Sequence, residues 1–295
     1  MTEGAWVTGC GGVSEYVVSG LKLLGSGYAG IGMWNTRETG GRSRRTGGGE
    51  PARPVGAVEW VREKLGLGAD ALQARVLGTR SRRGILNCSR QWGKSTITAA
   101  KAVHQAFTES GSLTLVVSPS ARQSGEFLKK AAGFVRKLKI RPTGDGDNEI
   151  SLALPNGSRI VGLPGTEATI RGFSAVRLLL VDEASRVSDD VYLAIRPMLA
   201  TSDGALWLMS TPNGKRGFFH ETWARGGPEW ERILAPATEC ARIKQSFLEE
   251  ERKVMGERCF RQEYLCEFGD SVSSVFGRDL VEGAITDEVE PMLIG

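Results

Sequence analysis

The fold of this chain of 295 residues is decided by residues 88–95, Cys-Ser-Arg-Gln-Trp-Gly-Lys-Ser. A short apolar run at residues 84–87 precedes them, and a stretch from Thr96 to Phe107 with apolar residues at helical spacing follows. A strand, a loop that ends in Gly-Lys-Ser and a helix predict a phosphate-binding loop, or P-loop. Its backbone N–H groups would cradle a triphosphate, with Lys94 on the β/γ-phosphates and the Ser95 hydroxyl as a ligand of Mg²⁺.

One position departs from the P-loop pattern, because Cys88 stands where the pattern has glycine. Gly-Lys-Ser alone also occurs by chance in surface loops that precede a helix. The octet therefore leaves an ordinary loop open as an alternative, and a second motif is needed to decide between them.

That second motif is the run Leu-Leu-Leu-Val-Asp-Glu at residues 178–183. An unbroken aliphatic run predicts a parallel strand that is buried on both faces, and α/β proteins place their ligands at the carboxyl ends of such strands. Asp182 would hold Mg²⁺, and Glu183 would polarise the water that attacks the γ-phosphate. The alternative is a core strand that ends at a polar turn, which the pairing with the P-loop makes the weaker interpretation.

A third apolar run, residues 205–209, ends in Ser210 and Thr211 and is followed by Pro-Asn-Gly. Hydroxyl side chains at a strand tip beside Asp182 would sense the γ-phosphate. A strand followed by a turn remains the alternative, because Pro and Asn-Gly form turns in any context.

Together these blocks resemble the large terminase subunits, which package DNA in tailed bacteriophages. The P-loop of that family has Arg-Gln before x-Gly-Lys-Ser/Thr, as here at residues 90–95, and a small residue such as Cys88 commonly replaces its first glycine. Residues 66–73 resemble its adenine-reading segment, in which Gln73 is the amide that would pair with adenine, and residues 260–268 resemble its closing block. The resemblance covers residues 58 to about 280. It implies a nucleotide site formed by Gln73, Arg90, Gln91, Gly93, Lys94, Ser95 and Thr96, with coupling by Ser210 and Thr211.

The resemblance also implies an arginine that stabilises the transferring phosphoryl group. Arg171 stands shortly before residues 178–183, in a region where the family is proposed to present an arginine to the neighbouring subunit. The P-loop arginine, here Arg90, has been assigned a similar role within its own subunit. Both assignments stay open, and a loop salt bridge is the alternative for Arg171.

In this family the ATPase is followed by a nuclease domain that binds metal ions on carboxylates. Residues 269–295 are too few to build the sheet of a two-metal nuclease, and their acidic residues lack strand-borne spacing. We therefore predict a flexible, Gly/Arg-rich extension at residues 1–56, a P-loop ATPase domain at residues 57–268, and a tail at residues 269–295 left from the linker to a missing nuclease. A fragment, a split gene and a decayed prophage gene all stay open.

Charge and composition narrow the class of protein further. The net charge is +4, and residues 71–108 contain seven basic residues and no acidic one. The positive electrostatic potential of such a segment would attract a polyanion such as DNA. A basic face that only contacts solvent is the alternative. The five cysteines form no Cys-x-x-Cys pair, which points to reduced thiols in a cytosol, here that of a bacterial host. No signal peptide or membrane-spanning run is visible.

The remaining pattern alternates as an α/β sheet requires. We predict a strand at residues 113–118, a basic helix from about 120 to 138, a hairpin at Pro-Asn-Gly (155–157), a helix at 188–199, a last core strand at 233–235 and a late helix at 246–255.

These observations predict an α/β fold, a P-loop NTPase of the ASCE/RecA-like type with a mostly parallel sheet and helices on both faces. The resemblance implies Mg²⁺-dependent hydrolysis of ATP that drives double-stranded DNA into a capsid. Its implied partners are a portal protein and a small terminase subunit, and its implied assembly is a homo-oligomeric ring. Two alternatives stay open: another DNA-stimulated ATPase or helicase, and a prophage remnant that binds nucleotide without turnover.

Overall fold

We obtained a computed structural model of the chain, which describes residues 56–147, 150–165 and 172–269. The α-helices of these residues are α1 (Ala57–Leu65), α2 (Ala71–Gly78), α3 (Lys94–Thr108), α4 (Ala121–Lys137), α5 (Asp189–Ile195), α6 (Gly217–Arg225) and α7 (Gln245–Tyr264). The strands are β1 (Arg83–Cys88), β2 (Leu113–Ser118), β3 (Ser151–Ala153), β4 (Arg159–Pro164), β5 (Leu178–Asp182), β6 (Ala205–Ser210) and β7 (Trp230–Ala235). Short 3₁₀ helices lie at Ala184–Arg186, Arg196–Leu199 and Ala237–Glu239.

The strands of the described residues form one sheet in the order β3-β4-β2-β5-β6-β1-β7. Strand β3 pairs with β4 in antiparallel orientation, and every other neighbouring pair is parallel. All residues of β2 and of β5 are buried, as expected for parallel strands with helices on both faces. The predicted α/β fold with a mostly parallel sheet is confirmed.

Successive residues of each strand enter opposite cores of the molecule. Leu180 packs in the core beneath α1 to α4, with Ile97 and Phe127 among its members. Leu179 packs in the other core, beneath α5 and α6, together with Phe218. Both leucines are fully buried, so truncation of either to alanine is expected to cost about 2–5 kcal/mol of stability.

The strand register brings three carboxyl ends to one edge of the sheet. Asn87, next to the last residue of β1, lies opposite Ser210 at the end of β6, and Asp182 at the end of β5 lies opposite Met209. Loops that follow parallel strands meet at this edge, which is where open α/β sheets bind ligands.

Two helices differ from the sequence prediction. The late helix predicted at residues 246–255 runs from Gln245 to Tyr264, and Gly256 breaks it with φ 78° and ψ 161°. Glycine adopts such a left-handed φ without a Cβ penalty, so the chain bends there and continues as a helix. Helix α6 was missed, because its apolar residues Phe218, Phe219 and Trp223 follow a Pro-Asn-Gly turn and share no long periodic stretch.

Helices of the described residues are all too short or too polar to cross a membrane. Residues 1–55 and 270–295, which hold nearly all of the predicted extension and tail, lie outside the described residues. The predicted domain boundaries stay predictions.

Candidate nucleotide-binding site

The P-loop connects the end of β1 to the start of α3. Gly93 caps α3 with a left-handed φ of 102°, and its carbonyl accepts hydrogen bonds from the N–H groups of Thr96 and Ile97, both at 3.0 Å. Gln91 also has a positive φ, 61°. The loop thereby folds back at the helix start and leaves the first N–H groups of α3 available to an anion.

Neighbouring segments hold the base of the loop. The Ser89 N–H donates to the Ala235 carbonyl at 3.0 Å, and the Arg90 N–H donates to the Glu263 carbonyl at 3.1 Å. The buried Asn87 amide donates to the Cys266 carbonyl at 2.8 Å. The last turn of α7 and the segment after it are therefore bonded directly to the strand and loop that would carry the nucleotide.

The Cys88 side chain, which stands in place of the usual glycine, is fully buried. Burial raises the pKa of the Cys88 thiol to about 12, so it stays protonated at neutral pH. Its Sγ lies 3.8 Å from the Ser210 carbonyl oxygen. Cys88 therefore packs the junction of β1 and β6, and the departure from the P-loop pattern has a structural explanation.

Ser95 and Asp182 converge at the carboxyl edge of the sheet. The Ser95 hydroxyl donates to Asp182 Oδ2 at 3.1 Å, and the Glu183 N–H donates to Asp182 Oδ1 at the same distance. Asp182 is only 5% exposed, and burial raises the pKa of its carboxyl above the ordinary value. A hydroxyl and a carboxylate are hard oxygen ligands of the type that Mg²⁺ prefers, so the donor set fits this ion.

Lys94 and Glu183 form an ion pair, with Lys94 Nζ 2.8 Å from Glu183 Oε1. Both side chains are partly buried. Desolvation disfavours the Lys94 charge, but the neighbouring Cys88, Glu183 and Asp182 act in the opposite direction, and the pKa of Lys94 is raised. Glu183 takes a left-handed φ of 53° directly after β5, a strained conformation that points to a functional constraint.

Arg186, which was not among the residues predicted from the sequence, also lies in the site. Its Nη1 donates to Glu183 Oε2 at 3.2 Å and to the Thr211 hydroxyl at 3.3 Å. Ser185 shares a hydrogen bond of 2.8 Å with the Ser210 hydroxyl and donates to the Thr211 carbonyl at 2.9 Å. The predicted coupling residues therefore contact the segment that follows Glu183.

Arg90 is held by a carboxylate from α7. Arg90 Nε donates to Glu263 Oε2 at 2.6 Å, and this hydrogen bond raises the pKa of Arg90. Glu263 Oε1 lies 3.7 Å from Arg186 Nη2. A continuous chain of charges thus runs from Arg90 through Glu263 and Arg186 to Glu183 and Lys94. Glu263 is the second residue that the sequence analysis missed, and its partners are too distant in sequence for any local pattern to reveal it.

Gln73 lies against the P-loop from the side of α2. Its Nε2 donates to the Trp92 carbonyl at 3.2 Å, and its Oε1 accepts from the Asp70 N–H at 3.3 Å as half of a capping box. Arg242 donates to the same Trp92 carbonyl and to Asp70. To read adenine, the Gln73 amide would exchange these protein partners, and this role stays a prediction.

The second predicted arginine, Arg171, lies outside the described residues. A cavity of about 430 Å³ opens beside Ser95, Asp182 and Glu183, and the first turns of α4, including Arg122, form its opposite wall. Among the described residues no cluster of three or more His, Cys, Asp or Glu side chains could hold a metal ion.

The family profile described as "Terminase large subunit, T4likevirus-type, N-terminal" matches residues 85–282. The chain belongs to this family. The match spans the P-loop, the Asp182–Glu183 pair and the closing segment after α7, so the resemblance to large terminase subunits is confirmed.

Curated relatives agree with this assignment. The chain is 26% identical over 256 residues to the terminase large subunit of Thermus phage G20c, covering 74% of this chain and 53% of that protein. It is 25% identical over 169 residues to the terminase large subunit of Escherichia phage T5. The chain spans about half the length, or less, of the curated relatives that it matches.

Solved structures share the fold. The large terminase ATPase domain of Thermus phage P74-26 superposes with a TM-score of 0.64 at 22% identity, over 72% of this chain and 99% of that domain. The large terminase of bacteriophage HK97 gives 0.60 at 16% identity, over 77% of this chain and 57% of that protein. A large terminase from a thermophilic bacteriophage, solved in complex with ADP, gives 0.56 at 10% identity, over 72% of this chain and 52% of that protein. The predicted P-loop NTPase fold is confirmed.

Proposed function

We propose that this chain hydrolyses ATP, with Mg²⁺, as the ATPase part of a terminase that translocates double-stranded DNA into a viral capsid. The observation that carries the proposal is the meeting of Lys94 and Ser95 with Glu183 and Asp182, at 2.8 and 3.1 Å, on one edge of the sheet. The membership of the family and the ADP complex of a related terminase support it.

Each residue of the site has a proposed role in binding or chemistry. The Lys94 ammonium and the N–H groups of Gly93, Lys94 and Ser95 bind the β/γ-phosphates, and the Thr96 N–H would join them by exchanging its bond to the Gly93 carbonyl. Gln91 and Arg90 flank the phosphates from the loop. Ser95 and Asp182 would hold Mg²⁺, which when bound neutralises charge on the phosphate oxygens. Glu183 orients the attacking water and accepts its proton.

The proposed site has two states: one in which Lys94 pairs with Glu183, and one in which Lys94 contacts the phosphates of the nucleotide. Phosphate oxygens compete with Glu183 for the Lys94 ammonium, since both are anionic acceptors of charge-assisted hydrogen bonds. Nucleotide would therefore release Glu183 towards the attacking water, while Arg186 still holds its other oxygen. Because Arg186 also bonds Thr211, this movement would reach the proposed coupling residues Ser210 and Thr211.

The partners that we propose for this chain rest on its membership of the terminase family and on the basic segment at residues 71–108. We propose double-stranded DNA as the polymer, a portal protein and a small terminase subunit as partners, and a homo-oligomeric ring in the cytoplasm of a bacterial host. Arg171 would then act on the nucleotide of the neighbouring subunit, and Arg90 on its own. The bounds of the ATPase unit, residues 57–268, stay a prediction.

A phosphate-release assay on the purified chain tests the proposal, with and without linear duplex DNA. We expect ATP turnover that requires Mg²⁺ and rises with DNA. Nucleotide binding without turnover under every condition would identify a non-catalytic protein. Turnover coupled to strand separation of a forked duplex would identify a helicase instead.

A further inference from the structure

The amino-terminal edge of the sheet, opposite the nucleotide site, carries a cavity of about 340 Å³. It lies among the end of α2, the middle of α3 and the starts of β5 and β6. We call it the basic cavity. The arginine and lysine side chains along its wall are those of Arg80, Arg82, Lys101 and Arg177, and its carboxylates are those of Glu109 and Asp203.

Both carboxylates of the basic cavity are already neutralised. Arg82 forms an ion pair with Asp203, and Arg177 Nε lies 3.1 Å from Glu109 Oε2. The Arg177 guanidinium also donates to the Ser202 carbonyl at 2.7 Å. These pairs compensate two of the four cations and leave the cavity with a net positive charge.

Arg80 and Lys101 have no ion pair among the described residues. Arg80 is exposed at the mouth, whereas Lys101 is largely enclosed. Lys101 Nζ donates to the Val76 carbonyl at 2.9 Å and lies 5.0 Å from the centroid of the Trp207 ring. Neither partner carries a full negative charge, so the enclosed ammonium has no compensating anion there.

Two further observations point in the same direction. Burial lowers the pKa of Lys101 to about 8, which reports the cost of this uncompensated charge. The Trp207 indole N–H, fully buried, has no hydrogen-bond acceptor among the described residues. Trp207 is one of the residues that line the basic cavity, and an anion there would supply the charge that Lys101 lacks.

We propose that the basic cavity binds a phosphate-bearing anion, with Lys101 and Arg80 as its charged contacts. A volume of this size admits inorganic phosphate or a mononucleotide but not a DNA duplex. A backbone phosphate of DNA reaches it only through the mouth, where Arg80 is exposed. The basic cavity is separate from the proposed nucleotide site, because it lies at the other end of the strands.

Isothermal titration calorimetry tests the proposal in a Lys94→Ala background, which removes the main phosphate contact of the P-loop. The titrants are inorganic phosphate, AMP and a short DNA duplex. We expect Lys101→Met to weaken binding of at least one titrant about tenfold or more, because a charge-assisted hydrogen bond is lost. Arg80→Ala should weaken it in the same direction, and Lys64→Ala, an exposed lysine on α1, should leave it unchanged.

The affected titrant identifies the source of the phosphate. Sensitivity with phosphate or AMP assigns a free anion, and sensitivity with duplex alone assigns the DNA backbone. Identical affinities in the parent, the Lys101→Met and the Arg80→Ala proteins, or no binding of any titrant, would overturn the proposal. Lys101→Met removes a buried charge, so it should melt no lower than its parent, and Arg80 is exposed, which keeps the comparison interpretable.

A pH series gives a second readout. Affinity in the parent should fall as pH rises from 7 to 9, because Lys101 loses its proton across this interval, and the Lys101→Met protein should lack this fall. Other groups face Lys101 from α3, from the segment before β1 and from the starts of β5 and β6. They are the guanidinium groups of Arg80, Arg82 and Arg177, the paired carboxylates of Glu109 and Asp203, and His104, whose pKa burial lowers. A fall of equal size in both proteins would contradict Lys101 as the contact.

Discussion

Lys94 Nζ lies 2.8 Å from Glu183 Oε1, so the lysine of the P-loop and the proposed catalytic carboxylate neutralise each other. The two residues stand on different elements, at the start of α3 and after β5, and the sheet brings them together. Substitution of either one therefore changes the environment of the other, and the two effects can be separated by measuring binding and turnover independently.

Lys94→Ala should lower ATP turnover at least about a hundredfold, because the charge that follows the β/γ-phosphates is lost. Phosphate release at saturating ATP measures the effect. Lys253→Ala, an exposed lysine on α7, is the matched control and should retain the parental rate. A Lys94→Ala protein that hydrolyses ATP at close to the parental rate would contradict the assignment of the P-loop.

Glu183→Gln should keep or tighten nucleotide binding while turnover falls about 10²- to 10⁴-fold, since the base is lost and Lys94 is freed for phosphate. Calorimetry with ATP and a parallel turnover assay separate these effects. Glu63→Gln, on the exposed side of α1, serves as the control. If Glu183→Gln bound ATP more weakly but hydrolysed it at the parental rate, the role of Glu183 as the catalytic base would be wrong.

Asp182→Asn should stabilise the nucleotide-free protein near neutral pH. Burial raises the pKa of Asp182 above 3.8, so its proton is bound more tightly in the folded state. Its contribution to stability is therefore present at low pH and is lost as pH rises through the raised value. Removing the charge should raise the Tm by about 2–4 °C, equivalent to about 1 kcal/mol.

A melting series over pH checks the Asp182 prediction. The advantage of Asp182→Asn should shrink as pH falls through the raised pKa of Asp182, where the native carboxyl becomes protonated. Asp147→Asn, an exposed acid, should give no comparable advantage. A lower Tm for Asp182→Asn at neutral pH would mean that Lys94 and Ser95 stabilise the charge more than burial penalises it.

Arg90→Ala and Glu263→Gln distinguish a role in chemistry from a role in structure. If Arg90 acts on the phosphates, Arg90→Ala should lower kcat about tenfold or more with ATP affinity retained. Glu263→Gln keeps an acceptor for Arg90 but loses the charge, so it should cost up to about 1 kcal/mol of stability with kcat largely unchanged. Equal losses of kcat and Tm in both variants would show that Arg90 only holds the loop.

Arg171→Ala should bind ATP normally and hydrolyse it poorly if the arginine acts on a neighbouring subunit. Mixing Arg171→Ala with Glu183→Gln subunits should restore activity above that of either alone, because some interfaces then combine an intact arginine with an intact carboxylate. The absence of rescue, where light scattering shows mixed oligomers, would reject this role and assign the function to Arg90.

The strands that carry the site were predictable, because a strand that is buried on both faces consists mostly of apolar residues. Residues 113–118 are rich in aliphatic side chains, residues 178–181 are an unbroken apolar run, and both segments form buried strands as predicted. The carboxyl end of a parallel strand lies at the same edge of the sheet as the P-loop, which places Asp182 and Glu183 near it. The pairing of Ser95 with Asp182 follows from the same parallel topology.

Contacts between distant segments were not predictable. Glu263 reaches Arg90 and Arg186 across the fold, and no periodicity marks a carboxylate that faces a site from a helix far along the chain. Arg186 carried one usable signal, its position three residues after Glu183 in the turn that follows the strand. Gln73 was selected by resemblance, but its bond to the Trp92 carbonyl depends on the packing of α2 against the loop.

The bonds from Asn87 and Arg90 to the end of α7 and the residues after it have a mechanical consequence. The backbone of Glu263 and Cys266 is fastened to the end of β1 and to the P-loop, and Gly269 accepts from the Lys215 N–H at 3.1 Å. A pulling force on the chain beyond Gly269 would therefore load the Lys215–Gly269 hydrogen bond first, and then the bonds of Cys266 and Glu263 to the end of β1 and to the P-loop. Tension on that end and nucleotide in the proposed site would both act on the hydrogen bonds at the P-loop. Mechanical load on the chain and nucleotide binding would therefore be coupled at this loop.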